Sequence, residues 1–333
     1  MTKKIHVPEF WSANQQAVWE KQEEIRTSLN LARATLAEIR YGYAKKREYW
    51  NYGGPEVAIC REFCVATPYG SVNVRLYEPE AIISQRVVVY AHGGGWIVGD
   101  LNTHDRLCRE LAVATRAAVL AVDYTLSPEA KYPQALVEFL ACVGWAQEHF
   151  SQVWCAGDSA GATLSLGAAL WIRDSQGEIG QLRLRSLHGL LLFYGGYGLR
   201  DSRSRQTLGG YWDGMDDADC AAYEAAYRVP GEAAPYHDVL DLDLSFGIPP
   251  SFILGAEFDP LRDDSRVLFD RLQENQPRVE YYEAPGVLHA FLQYIRLLPE
   301  AAHSIAQAAR FVQSVGDSVA VQQAEEQPHS ATE

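Results

Sequence analysis

Six short apolar runs, near Val87, Val119, Val153, Leu190, Phe252 and Val279, alternate along the chain with helical stretches such as Leu107 to Thr115 and Ala135 to Phe150. Tight turns join only antiparallel neighbours, so strands separated by helices predict an α/β fold: a mostly parallel central sheet with helices on both faces. Two antiparallel-looking strands, Glu56 to Val65 and Ser71 to Glu78, precede the alternation. Sheets of this class bind ligands beyond the carboxyl ends of their strands, which says where to look for chemistry. A chain of 333 residues that is 47% hydrophobic can bury one large core without splitting into independent domains.

At one such strand end stands Gly157-Asp158-Ser159-Ala160-Gly161, between the buried run Val153 to Ala156 and a small-residue helical run from Ala160 to Trp171. A tight strand-to-helix turn would expose Ser159 as a nucleophile, with glycine two residues to either side letting backbone pass close. The helix begins at the serine, so its free N–H groups and positive dipole end face the place where an oxyanion would form. Alone the GxSxG pattern is weak, because 26 glycines can supply one by chance. A second element adds to it. His92-Gly93-Gly94-Gly95-Trp96 directly follows the apolar run Val87 to Ala91, and its glycines let backbone amides turn outward. The N–H groups of Gly93 and Gly94, with that of Ala160, are the expected oxyanion hole, and His92 and Gly95 complete the motif. A phosphate-cradling loop is the other use of such glycines, but neither GK[ST] nor G-x-G-x-x-G is present.

A serine hydroxyl needs a base to take its proton and an acid to orient that base. Ser251 to Ala256 reads as a strand ending just before Asp259, and Pro260 keeps Asp259 out of helical geometry. After another strand-like run, Val279 to Glu283, His289 follows in Gly286-Val287-Leu288-His289-Ala290-Phe291. Asp259 is therefore the expected acid and His289 the expected base. Glu257 is the credible substitute acid, whereas Asp263 and Asp264 suit the first turn of a helix running from Ser265 to Leu272. His6 and His329 lie in terminal segments and His149, His188 and His303 in or beside regular elements, which leaves His104 and His237 as pocket-lining candidates. Asp158 suits bracing of neighbouring backbone better than chemistry. No histidine pair has zinc-helix spacing and no carboxylates form a calcium-loop pattern, so no metal is expected.

Taken together, HGGGW, Asp123 to Glu129 (DYTLSPE), GDSAG, Glu257-Phe258-Asp259-Pro260-Leu261 and Leu288-His289-Ala290-Phe291 resemble the hormone-sensitive-lipase family of α/β-hydrolases. Within it the chain is similar to bacterial acetyl esterases over nearly its whole length, helped by Tyr197 to Ser202 and by Gly209-Gly210-Tyr211-Trp212-Asp213-Gly214. The resemblance implies an α/β-hydrolase fold with a helical lid, Ser159 as nucleophile, Asp259 as acid, His289 as base, and Gly93, Gly94 and Ala160 as oxyanion hole. It also implies hydrolysis of small carboxylic esters with short acyl groups and without a cofactor.

Two stretches depart from the alternation. Trp11, Val18, Ile25, Leu29, Ala32, Leu36 and Ile39 recur at helical spacings and predict one apolar face on N-terminal helices. Residues 201–246 interrupt between a buried strand and the acid strand. Both read as lid, giving a lid segment over 1–55 and a catalytic domain over 56–315 with 201–246 as an insertion. Residues 316–333 are small, polar and acidic and read as a disordered tail. A membrane-surface or partner-binding face is the alternative for the N-terminal helices, although their polar side mixes acids and bases. A net charge of −14 argues against nucleic acid and anionic membranes as partners. No apolar targeting or spanning segment is visible, and six cysteines (Cys60, Cys64, Cys108, Cys142, Cys155 and Cys220) show no framework spacing, so a cytoplasmic location with free thiols is expected. A homodimer or a regulatory protein contact stays open.

Overall fold

The computed structural model describes residues 4–29, 35–83, 85–276 and 278–325. Two helices, α1 (Ala13–Leu29) and α2 (Leu36–Asn51), precede an antiparallel hairpin of β1 (Ile59–Thr67) and β2 (Gly70–Glu78). The alternation follows: β3 (Arg86–Ala91), α3 (Asp105–Thr115), β4 (Ala118–Val122), α4 (Gln134–His149), β5 (Gln152–Asp158) and α5 (Ala160–Asp174). A two-residue-per-strand hairpin, β6 (Glu178–Ile179) and β7 (Leu182–Arg183), leads to β8 (Gly189–Phe193). Then come α6 (Arg203–Thr207), α7 (Asp217–Tyr227), β9 (Ser251–Ala256), α8 (Arg262–Gln273), β10 (Val279–Ala284) and α9 (Pro299–Glu325). The main sheet has eight strands in the order β1-β2-β4-β3-β5-β8-β9-β10, parallel from β4 to β10.

Strands β3, β4, β8 and β9 are buried at every position, as strands covered on both faces must be. Their side chains part by the period of two. Val87, Val89, Leu120, Cys155, Leu190, Leu192 and Ile253 face one core with α4, α5 and α8; Val88, Tyr90, Val119, Trp154, Leu191, Phe252 and Leu254 face the other with α3 and α9.

The N-terminal helices differ from the expected single apolar stripe. Val18 is buried and Ile25 packs on the core, but Ile39 is exposed, and α2 turns Arg47 and Trp50 inward instead. Thr35 caps α2 through a capping box with Glu38, so α2 starts as a new helix with a phase of its own. Ala32 lies outside the described residues. The expected disordered tail from Gly316 is also corrected as far as Glu325, because α9 runs on to that residue. Alanine, glutamine and glutamate there favour helix, and no proline intervenes before Pro328. Residues 326–333 lie outside the described residues. No described helix is long and apolar enough to cross a membrane.

Candidate active site

Ser159 sits between β5 and α5 with φ 52° and ψ −119°, a conformation that non-glycine residues avoid. Two contacts hold it there. Its N–H donates to Phe193 O at 2.8 Å, and a Cβ on Gly161 would fall 1.9 Å from Ala91 O, so only glycine lets α5 close on β3.

Asp259 and His289 arrive from the ends of β9 and β10. His289 Nδ1 lies 2.7 Å from Asp259 Oδ2, and His289 Nε2 lies 2.9 Å from Ser159 Oγ. A carboxylate can only accept, so Nδ1 carries the proton and Nε2 presents its lone pair to the serine. The other Asp259 oxygen accepts from Leu261 N at 2.7 Å, and the side chain is fully buried. Burial disfavours a charged His289, yet the Asp259 carboxylate outweighs it and raises the ring above its ordinary 6.5. Glu257, the rival acid, is occupied elsewhere: it accepts from Gly286 N at 2.7 Å.

The glycine loop departs from expectation at one position. Gly93 N donates to Asp158 Oδ1 at 2.8 Å, so it points back toward the residue before Ser159 and is not free for an oxyanion. The amides of Gly94, Gly95 and Ala160 have no hydrogen-bond partner among the described residues. Gly94 has φ 121° and a Cβ there would meet Val98 O at 2.1 Å, so the loop bends as only glycine allows. His92 braces this bend: Nδ1 donates to Gly93 O at 2.8 Å, and the ring stacks on Tyr124 at 4.3 Å. Burial, with neighbouring His104, lowers its pKa to about 4, so it stays neutral.

A family model described as the alpha/beta hydrolase fold matches residues 88–293. The chain belongs to the α/β-hydrolase family. Its motifs and this match agree with the hormone-sensitive-lipase type of that fold. Among solved structures it is similar to an esterase of Pyrobaculum calidifontis, at 27% identity over 85% of this chain and 94% of that one, with a TM-score of 0.77. An ester-hydrolase from the metagenome of Lake Arreo, solved with a bipyridine phosphonate derivative, matches at 26% identity over 92% and 99%, with a TM-score of 0.81. EstE1, a thermophilic carboxylesterase from a metagenomic library, matches at 24% identity over 85% and 98% with a TM-score of 0.77, a likeness of fold alone.

Around this hydrolase site the structure adds residues whose roles the motifs do not spell out. Asp158 accepts from Tyr90 Oη at 2.6 Å and Gln293 Nε2 at 3.1 Å besides Gly93 N, with His104 Nε2 at 3.5 Å from Oδ1. Burial would raise its carboxyl, but His104 and these hydrogen bonds hold it well below the usual carboxylate range. His104 thus belongs to the brace and not to a pocket lining. His237 is also buried, paired with Glu224 at 2.9 Å. Asp264 does more than charge a helix start: it accepts from Tyr197 N at 2.8 Å and Leu199 N at 3.2 Å and pairs with Arg205, tying 197–205 to α8. No sequence spacing signals Gln293, since its partner Asp158 is 135 residues away.

Proposed function

We propose that this protein is a serine carboxylesterase acting on small esters with short acyl groups, with Ser159 as nucleophile, His289 as base, Asp259 as acid, and Gly94, Gly95 and Ala160 as oxyanion donors. The observation that carries this reading is the chain of 2.9 Å and 2.7 Å contacts from Ser159 Oγ through His289 to Asp259 at a strained turn. His289 Nε2 takes the serine proton as Oγ attacks the ester carbonyl, and the oxyanion forms among the free amides. The imidazolium then gives the proton to the departing alkoxide, so an alcohol leaves and an acyl-serine remains. Water repeats the sequence through the same ring, releasing the acid and restoring Ser159.

The helices before β1 and residues 201–246 serve as the lid. Their ties support this: Lys4 Nζ donates to Leu208 O at 2.8 Å, Leu288 N donates to Gln15 Oε1 at 3.3 Å, and Arg40 donates to Ile97 O at 2.8 Å beside the glycine loop. Short acyl specificity rests on the resemblance to acetyl esterases. The six free cysteines suit a cytoplasmic location.

Hydrolysis of p-nitrophenyl acetate, butyrate, octanoate and laurate by wild-type and Ser159→Ala proteins tests the reading. Turnover that is strongest for the short esters and lost with Ser159 supports it. Turnover that survives the substitution, or a preference for laurate, overturns the mechanism or the acyl range respectively.

A further inference from the structure

The glycine loop meets α7 along a single helical turn. Tyr223 and Tyr227 are four residues apart, so they share one face of α7. The Tyr223 ring stands where a side chain on Gly95 would go: a Cβ there would fall 2.6 Å from Cδ1 and 2.7 Å from Cγ. Its hydroxyl donates to Gly214 O at 3.2 Å, which fixes the ring from the far end. The Tyr227 ring lies flat on the next loop residue, Trp96, with centroids 4.5 Å apart and planes within 2°. His237 closes on both rings, at 5.0 Å from Trp96 and 5.5 Å from Tyr227, and is itself held by Glu224 of α7.

Both loop residues gripped in this way have left-handed backbone, Gly95 with φ 58° and Trp96 with φ 61°. Glycine adopts that conformation freely, whereas a tryptophan there is strained and stays only where its surroundings over-determine it. Ser127 N donates to Trp96 O at 2.7 Å and supplies one restraint, and the Tyr227 stack supplies the other. The bend matters for chemistry because it aims the Gly95 N–H, which has no acceptor among the described residues. An oxyanion donor acts only if it is held in place before charge develops, so whatever fixes the bend carries part of the catalytic geometry. The helix is anchored in turn: a capping box of Asp216 and Asp219 starts α7, and Tyr132 N donates to Tyr227 O at 2.9 Å at its end.

We infer that Tyr223 and Tyr227 are positioning residues that hold the Gly95 amide in the oxyanion hole, so that the hole is complete only while α7 is docked on the glycine loop. This assignment rests on the esterase reading above. It gives the segment 201–246 a task beyond covering the site. When α7 lifts, the Tyr223 ring leaves Gly95, Trp96 loses its stack, and the strained bend relaxes with its donor out of line. The ring of Tyr223 does the holding and not its hydroxyl. Ring carbons make the contact to Gly95, so phenylalanine keeps it and alanine does not.

The experiment uses the full chain as wild type, Tyr223→Phe, Tyr223→Ala and Tyr227→Leu. It measures kcat/KM for p-nitrophenyl acetate and for its thiono analogue, in which sulfur replaces the carbonyl oxygen, each divided by the hydroxide-catalysed rate. Sulfur is larger and a weak acceptor, so the thiono ester draws little help from amides placed for oxygen, and the oxo-to-thiono ratio reads the hole itself. The expected ratio is about 10² or more in wild type and in Tyr223→Phe. It should fall by about tenfold or more in Tyr223→Ala, through the oxo ester, and part of the way in Tyr227→Leu. Equal losses on both esters, as a merely structural role would give, overturn the assignment and leave the esterase reading standing. So does a wild-type ratio near one, an unchanged ratio in Tyr223→Ala, or a fall in Tyr223→Phe as large as that in Tyr223→Ala. Wild type that is inert toward both esters overturns the esterase reading and this assignment with it. Where Tyr223→Ala fails to fold, Tyr223→Gln, a helix former without a ring, decides by the same ratio.

Discussion

Asp158 at the end of β5 and Asp213 in the turn between α6 and α7 are both carboxylates whose charge acts on His289, the first fully buried and the second half-buried with one oxygen closed to solvent. Tyr90, Gly93 and Gln293 donate to Asp158, and with His104 they overcome the burial that would raise it. Only one Asp213 oxygen is engaged, and burial pushes that carboxyl up to about 6 against its two backbone hydrogen bonds. The contrast separates two uses of the same group. Where donors converge, a buried carboxylate becomes a rigid brace that aims a loop. Where donors fall short, burial keeps the charge costly.

The largest effect sets the baseline for that contrast. Ser159→Ala and His289→Ala should each lower kcat/KM for p-nitrophenyl acetate by about 10⁴-fold or more, read by initial rates with both carboxylates in place. Next comes Asp158→Ala, which strands a set of buried donors and should cost about 3–5 kcal/mol in urea unfolding. Asp213→Asn should behave in the opposite way. Its folded carboxyl titrates at about 6 against an ordinary 3.8, so the cost of its charge is fully present above that pH and is relieved as pH falls toward 3.8. Asparagine should therefore leave stability at pH 8 unchanged or up to about 2 kcal/mol higher, with the gain shrinking at pH 5. Equal stability losses at the two positions would erase the distinction between brace and underpaired charge.

A pH profile sharpens the comparison further. The proposed reaction needs neutral His289, whose pKa is raised against burial by Asp259, with Asp213 and Asp158 adding to it. Activity should thus fall as pH drops through a midpoint above 6.5. In Asp213→Asn that midpoint should move down by less than about one unit, measured as kcat/KM against pH. An unmoved midpoint would place Asp213 too far from the base to matter. Tyr43→Phe carries the smallest effect. Its hydroxyl donates to Gln293 Oε1 at 3.2 Å, one step behind the Asp158 brace, so thermal or urea unfolding should register a loss of about 1 kcal/mol with little change in rate.

The amino-acid sequence by itself determined the alternating sheet, the strand from Ser251 to Ala256 that ends before Asp259, the serine turn and the order Ser159, Asp259, His289. These depend on spacing within a few residues, on the period of two in strands and on glycine where backbone must pass. Tertiary structure alone decided which amides of the glycine loop are free, because Gly93 is claimed by Asp158 from 65 residues away. It decided the phase of α2, where the Thr35 cap starts a new helix and Arg47 and Trp50 turn inward. It also decided that Asp264 grips the segment 197–205 and that one Asp213 oxygen is left unpaired among the described residues. The reason is physical: a motif records which groups a residue carries, but a hydrogen-bond partner brought in from a distant element settles which of those groups remain free for chemistry.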